Sequence, residues 1–260
     1  MEQERPEKKR RPLQILLLFF ILLAIAALIG LGWYFLPLLL HHTAEKPDLP
    51  PISDTSGDIS AIIPENPKDF AALKQQNPDI VGWISIPGTA IDYPVLRSTP
   101  EEGEDFYIDH DVNKVPKKAG AIYMQQLNSG DFSDPNTVLY GHYMKNGTMF
   151  ADLHQFRKEK VFNEYDKIYI YTPGHILTYR LYSAFVYDDR LILNAFDFGN
   201  PSDYARFIEQ TLHPTAMNRQ VRDGVNVTTD DRIITLSTCT GVSTQRYLVM
   251  GVLIDDTITQ

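Results

Sequence analysis

Three side chains of this 260-residue chain could together perform nucleophilic catalysis. Cys239 is the only cysteine, so it cannot form an internal disulfide or a cysteine-rich zinc site; it is either a small buried hydrophobe or a nucleophile. Arg246 follows it closely, and a guanidinium beside a thiol can lower the thiol pKa and hold a developing oxyanion. His142, at the end of "TVLYGH", is the best candidate for a partner that transfers protons.

The position of these residues at the ends of apolar runs predicts how they meet. If 232–238 and 246–254 form a hairpin around "TGVSTQ", Cys239 lies across the loop mouth from Arg246, because paired residues point to the same face. Ser237 shares the face of Cys239, and Thr238 points to the opposite face. With ordinary pKa values near 8.5 and 6.5, thiolate and imidazolium coexist in roughly one per cent of molecules at pH 7, which predicts slow turnover.

The remaining histidines are weaker candidates for chemistry. They lie in helical segments, after a Pro-Gly turn or in the flexible linker: His154, His213, His175, His41 and His42. His110, in "YIDHDVN", has two nearby aspartates that make a calcium or zinc site conceivable. No cluster with metal-ligand spacing accompanies it, so we expect neither a metal nor a cofactor.

The N-terminus predicts a membrane anchor. A basic cluster, Lys8 to Arg11, precedes an apolar stretch from 13 to 40, which exceeds the roughly 20 residues needed to span a bilayer. The positive-inside rule then places the N-terminus in the cytoplasm and residues 41–260 outside. A cleaved signal peptide is the alternative, since "AIAA" offers small residues, but the apolar run continues past them.

Charge and composition divide the chain further. Residues 1–12 form a basic tail of net charge +2, which leaves −11 for the rest of a chain of net charge −9 and argues against nucleic acid as a partner. The segment 41–65 is rich in Pro, Asp and Ser and is typical of an extracellular linker. A folded domain is expected over 66–260.

Within this domain, eight β-rich runs are separated by turn residues, which favours a closed barrel or a sandwich. The runs are 82–86, 91–95, 119–124, 137–141, 167–172, 176–187, 232–238 and 246–254. Two helices are also predicted. One is capped by Asn66 and stops at Asn77-Pro78, and the other, 200–214, is capped by Asn200 and precedes the cysteine strand.

Several motifs resemble those of the sortases, the membrane-anchored cysteine transpeptidases of Gram-positive bacteria, and they occur along the chain in the same order as in that family. They are "TLSTC" with a downstream "RYLV", and "LYGH" about a hundred residues earlier. The segments "IPGTAIDYPV", "FYIDHDVN" and "GTMFADL" and the two helices resemble class B. The resemblance implies a mainly β protein, a closed eight-stranded barrel with an N-terminal helix and a helix inserted before the cysteine strand.

The resemblance also implies a reaction. Cys239 would attack the carbonyl after the threonine of a C-terminal sorting signal on a secreted protein, with His142 as general acid and later base and Arg246 as oxyanion stabiliser. The thioacyl-enzyme would then pass to an amine of a peptidoglycan precursor such as lipid II. Substrate contacts are expected from six residues: Ser237, Thr238, Tyr140, Ile108, Leu193 and Asn194.

Other functions stay open on the sequence alone. A sortase that polymerises pilins would use a lysine amine as acceptor, and a catalytically inactive, membrane-tethered barrel would only bind peptides. Retention of Cys239, His142 and Arg246 together argues against an inactive barrel. A papain-like hydrolase fits poorly, because its cysteine lies on a helix near the mature N-terminus and not on a late strand.

Overall fold

The computed structural model describes residues 63–260. Within them, nine strands form one sheet: β1 (Ile80–Ser85), β2 (Asp92–Leu96), β3 (Ile122–Met124), β4 (Asn136–Tyr140), β5 (Lys167–Thr172), β6 (His175–Asp188), β7 (Gln220–Val221), β8 (Ile233–Cys239) and β9 (Gln245–Ile258). Their order in the sheet is β5-β1-β2-β3-β4-β8-β9-β6-β7, and β6 also pairs with β5. Eight strands therefore close into a barrel, as predicted, and β7 is an addition at the edge of β6.

The barrel has an apolar interior because its strands alternate between an inward and an outward face. In β5, Ile168 and Ile170 are buried in the barrel interior, and Tyr169 between them is half-buried on the outside. Leu139 of β4 and Leu236 of β8 reach the same interior cluster. Pairing is antiparallel around the barrel except at β2–β3 and β4–β8, which are parallel. The parallel β4–β8 pair matters most for function, because it brings two strand ends together on the same side.

A second core lies outside the barrel wall, under a helix. Among residues 63–260, the short helices are α1 (Phe70–Gln76), α2 (Glu159–Glu164) and α3 (Ile192–Ala195), and the longest α-helix is α4 (Pro201–Leu212). Phe207 of α4 packs over Ile233 and Leu248, which face away from the barrel interior. Burial of one such large side chain stabilises the fold by about 1.5–3 kcal/mol. Because β8 is covered on both faces, residues 233–238 are all buried.

Helix α4 begins as predicted, but α1 does not. The Asn200 side chain accepts a hydrogen bond from the Ser202 amide and caps α4. Helix α1 is capped by Asp69, which accepts from the Ala72 amide at 3.0 Å, so the predicted cap at Asn66 is wrong. The Asn66 side chain instead donates to the Thr172 carbonyl at 2.8 Å, and this tertiary contact joins the segment before the helix to the end of β5.

A polar network fixes the long segment between β2 and β3, which includes a 3₁₀ helix, Phe106–Ile108. The Tyr107 hydroxyl donates to Asp79 at 2.6 Å and accepts from Asn77 Nδ2 at 2.9 Å. Gly120 has a φ of +57°, and a Cβ there would lie 2.4 Å from the Ile108 carbonyl oxygen. The Ile108 backbone therefore follows an anchored tyrosine and packs closely against Gly120, which matters for the site below.

None of the helices in residues 63–260 combines the length and the apolar composition that crossing a bilayer requires. The predicted tail 1–12, the predicted membrane helix 13–40 and nearly all of the linker 41–65 lie outside the described residues.

Candidate active site

The parallel pairing of β4 with β8 places His142 next to the cysteine strand. Tyr140 pairs with Ser237, and the Gly141 amide donates to the Ser237 carbonyl at 3.2 Å, so the chain turns into His142 beside the end of β8. Gly141 is required here: a Cβ would lie 2.4 Å from Ile122 Cδ1 and 2.8 Å from the Phe150 ring. The small residue lets β4 end close to its neighbours and presents His142 at the rim.

The antiparallel hairpin of β8 and β9 brings the other two candidates together. Cys239, the last residue of β8, pairs with Arg246, so the predicted hairpin and its register are confirmed. Arg246 Nη1 donates to the carbonyl of Ser243 in the connecting loop and to that of Gln245 at the start of β9, each at 3.0 Å. The guanidinium is thereby held at the mouth of the hairpin, on the same face as the thiol.

The thiol and the imidazole change each other's ionisation. Interaction with His142 is the main cause that lowers the pKa of the half-buried Cys239 thiol, burial opposes it, and the positive charge of Arg246 adds a smaller lowering. Interaction with Cys239 is the main cause that raises the pKa of His142, against the effect of burial. Both shifts enlarge the thiolate and imidazolium population above the roughly one per cent of unperturbed groups.

The backbone orients the His142 ring. Its Nε2 lies 2.7 Å from the Ile108 carbonyl oxygen, which can only accept, so Nε2 carries a proton and donates. Nδ1 is the nitrogen left for proton exchange with the thiol. Ile108 thus supports His142 through its main chain, on the segment that Tyr107 and Gly120 hold in place.

A cavity of about 300 Å³ opens onto these three side chains. Four of the six residues expected to contact substrate line it: Ser237, Thr238, Tyr140 and Ile108. Ser237 and Thr238 are both buried, and the Tyr140 hydroxyl donates to Gln125 Oε1 at 3.0 Å. The remaining lining residues include Tyr123, Asp105, Asp189, Arg190 and Leu191.

The structure does not bring Leu193 and Asn194 to this cavity. Strand β6 continues to Asp188, so the chain passes the rim at 189–191, and α3 then carries Leu193 and Asn194 to a neighbouring cavity of about 710 Å³. Asn194 Oδ1 accepts from Gln125 Nε2 at 2.8 Å, and Leu193 packs against the core under α4. The predicted wall of the groove is therefore offset by about three residues, to 189–191.

The other histidines have separate partners. The His110 ring stacks on Phe106 with centroids 4.2 Å apart, and its Nδ1 lies 2.9 Å from the Phe106 carbonyl. His175 contacts Asp256 at 2.7 Å. No group of three or more His, Cys, Asp or Glu side chains in residues 63–260 is arranged to hold a metal ion. His154, in contrast, contacts the backbone of Cys239, a contact that the sequence did not predict.

Comparison with known proteins places this arrangement in a family. Residues 84–254 match the family model for the sortase domain. Sortase B of Staphylococcus aureus is 31% identical over 188 residues, which make up 71% of this chain and 74% of that protein. The X-ray structure of Clostridium perfringens sortase B has a TM-score of 0.65 and 32% identity, covering 72% of this chain and 100% of that one. A Staphylococcus aureus sortase B–substrate complex has a TM-score of 0.63 and 30% identity, over 72% and 84% of the two chains.

Proposed function

The chain belongs to the sortase family, as a cysteine transpeptidase of class B, and on that premise we propose that it cleaves a C-terminal sorting signal after a threonine and transfers the protein to a peptidoglycan-precursor amine. One observation carries the proposal: Cys239, His142 and Arg246 line the same cavity, at the ends of β4, β8 and β9. The substrate complex of the Staphylococcus aureus relative supports substrate binding at the corresponding site of this chain.

The proposed first step is acylation of the thiol. The Cys239 thiolate forms a bond to the carbonyl carbon of the threonine residue, and the π electrons of that carbonyl move to its oxygen. The oxyanion then collapses, the C–N bond breaks, and the imidazolium of His142 gives its proton from Nδ1 to the leaving amine. A thioester on Cys239 and a neutral His142 remain.

The second step reverses these roles. The acceptor amine attacks the thioester carbonyl while His142 Nδ1 takes a proton from the attacking nitrogen. The C–S bond then breaks, which returns the Cys239 thiolate and the His142 imidazolium and leaves a new peptide bond. The enzyme is thereby restored without any external acid or base.

Arg246 is proposed to hold the oxyanion. Among the contacts within residues 63–260, its loop hydrogen bonds engage only Nη1, which leaves Nε and Nη2 for a substrate oxygen. A planar guanidinium can keep one arm on its own backbone and direct the other at the developing charge, whereas a lysine ammonium has no such fork.

The proposed setting is the outer face of the membrane. An N-terminal anchor over 13–40 with a cytoplasmic tail would hold the catalytic domain where secreted proteins and lipid II are both found. The linker 41–65 would give the domain reach to both substrates.

A peptide library tests the proposal directly. The full chain, in detergent, is incubated with peptides that vary around a threonine, and mass spectrometry measures an acyl adduct on Cys239. We expect an adduct for a subset of peptides, and none with Cys239→Ala. Addition of a glycine-terminated peptide or of a lysine side-chain amine then shows which acceptor receives the acyl group, and so separates a cell-wall enzyme from a pilin polymerase. Absence of an adduct across the library would favour the inactive peptide-binding barrel.

A further inference from the structure

The carbonyl of Cys239 lies beyond the end of β4, where that neighbouring strand no longer offers a backbone donor. On the edge of β8 that faces β4, the Ser237 carbonyl accepts from the Gly141 amide. In a strand, carbonyls two residues apart point to the same edge, so the Cys239 carbonyl faces the continuation of β4. That strand has already ended at Tyr140, and a half-buried carbonyl there needs another donor.

His154 supplies the donor. Its Nε2 lies 2.8 Å from the Cys239 carbonyl oxygen, and its Nδ1 accepts from Arg157 Nε at 3.0 Å. A carbonyl can only accept and a guanidinium N–H can only donate, so this pair of contacts defines one tautomer, with the proton on Nε2. Burial, and to a smaller degree the charge of Arg157, lower the pKa of His154, although its bond to the Cys239 carbonyl opposes them, so the neutral ring dominates at neutral pH.

Aromatic contacts fix the plane of the His154 ring. It is stacked against Tyr247 at 5.1 Å between centroids and lies 4.2 Å from the Tyr143 ring. Tyr247 is fully buried and follows Arg246 in β9, and the Arg157 guanidinium sits 4.6 Å from its ring. The donor that holds Cys239 is thus tied to the strand that carries Arg246.

One short segment connects this donor to the candidate general acid. His142 begins the segment, Tyr143 bridges to Met149, and the Phe150 amide donates to the His142 carbonyl at 3.0 Å. A 3₁₀ helix, Ala151–Arg157, follows and carries His154. The segment therefore contacts Cys239 twice, at the side chain through His142 and at the main chain through His154.

We propose that His154 is a positioning residue of the reaction: as a neutral donor held by Arg157, it fixes the Cys239 peptide group so that the thiol stays aligned with His142 and Arg246. The inference rests on the proposed function, since it presupposes that Cys239 is the nucleophile. Loss of alignment at a reacting atom affects the chemical step more than substrate binding, so the effect belongs in kcat and not in KM.

A matched pair of variants separates the hydrogen bond from the packing. His154→Gln keeps an amide N–H for the Cys239 carbonyl and an oxygen for Arg157, and His154→Phe keeps an aromatic ring and loses the donor. We expect His154→Phe to lower kcat about tenfold or more with KM within about threefold, and His154→Gln to stay within about threefold of the wild type in both. Equal losses in the two variants, or none in His154→Phe, would overturn the proposal.

The same experiment distinguishes this inference from the proposed function. If the wild-type chain forms no acyl adduct on Cys239, the proposed function fails; if it does and His154→Phe matches it, only the role of His154 fails. Should His154→Phe not fold, Arg157→Met replaces it, because the ring then loses the donor that fixes its tautomer. We expect at least a threefold loss of kcat in that variant, and an unchanged kcat would count against the role.

The hydrogen bond itself can be measured without any His154 variant. The chain has one cysteine, so labelling with carbonyl-¹³C cysteine gives a single labelled carbonyl. Dipolar recoupling to ring-¹⁵N histidine, in the His142→Ala background to remove the neighbouring ring, should show a close nitrogen at the Cys239 carbonyl. Its absence would contradict the contact on which the proposal depends.

Discussion

The two sides of Cys239 each pair a histidine with an arginine, yet the pairs are suited to different tasks. On the thiol side, the pKa of His142 is raised, chiefly by interaction with a group that becomes an anion. On the carbonyl side, the pKa of His154 is lowered, chiefly by burial. The same residue type is therefore prepared to give up a proton on one side and to stay neutral on the other.

The arginines differ in the same way. Arg246 lines the open cavity and, within residues 63–260, its side chain bonds to the carbonyls of Ser243 and Gln245 alone, so it can face a substrate. Arg157 donates to a histidine ring and lies over the Tyr247 ring, where its charge discourages a second proton on His154. The comparison shows that the groups around a histidine or an arginine, more than the residue type itself, decide whether it takes part in the reaction or supports the nucleophile. Substitutions on the thiol side should therefore have the larger effects.

The largest effect is expected from the thiol itself. Cys239→Ala should abolish both cleavage and adduct formation, because no other group in the site can form the thioester. The melting temperature should change little, since the half-buried thiol at a strand end contributes little packing. Substantial remaining cleavage would remove Cys239 from the mechanism.

Loss of the proton donor should come next. His142→Ala should lower kcat by about 10²–10⁴-fold, because an amide nitrogen leaves poorly until it is protonated. His175→Ala is a suitable control, as that histidine begins β6, pairs with Asp256 and lines a different cavity. A loss below about tenfold would mean that another group donates the proton.

A smaller effect is expected from Arg246→Lys. Lysine keeps the charge but cannot bond to the loop carbonyls and to an oxyanion through one planar group. We expect kcat to fall at least tenfold while peptide binding weakens less. For comparison, complete removal of a single oxyanion donor typically lowers kcat by about 10²–10³-fold. Arg206→Lys, on the exposed side of α4, controls for the substitution itself. A near wild-type kcat would leave Arg246 with general electrostatics alone.

The smallest effect concerns the ionisation of the thiol. His142→Ala and Arg246→Ala should both raise the pKa of Cys239, because each removes a group that favours the thiolate. The rise should be larger for His142→Ala, since its interaction is the main cause of the lowering. The pH dependence of thiol alkylation measures both. The reverse order would show that the positive charge of Arg246 sets the thiol pKa.

Much of the fold could be predicted from the sequence, because strands are indicated by local sequence patterns. β-rich runs between turn residues, such as 167–172, predicted the strands, and a single hairpin was enough to pair Cys239 with Arg246. The cap at Asn66 failed because Asp69, directly before the helix, accepts from the Ala72 amide, while Asn66 Nδ2 donates to the distant carbonyl of Thr172. No local pattern contains such a partner.

The site shows the same limit. The offset from Leu193 and Asn194 to 189–191 arises because α3 has only four residues, too few for a helical period to appear. His154 was visible as a histidine three residues before Arg157, but it bonds to a carbonyl 85 residues away. Every residue has a backbone carbonyl, so the sequence cannot indicate which carbonyl a side chain binds. The hydrogen bond from His154 to the Cys239 carbonyl is therefore visible only in the folded structure.

The most direct test of the difference between the two sides is one titration of both histidines. Ring-¹⁵N NMR of the labelled chain should show His142 titrating above the ordinary value of about 6.5 and His154 below it. Blocking the thiol with a methyl disulfide should lower the pKa of His142 and leave that of His154 unchanged, because the hydrogen bond between His154 and Cys239 is made to the main-chain carbonyl and not to the thiol. Equal pKa values for the two rings, a lower pKa for His142 than for His154, or a pKa of His142 that does not change when the thiol is blocked would contradict the division of roles between the two histidines.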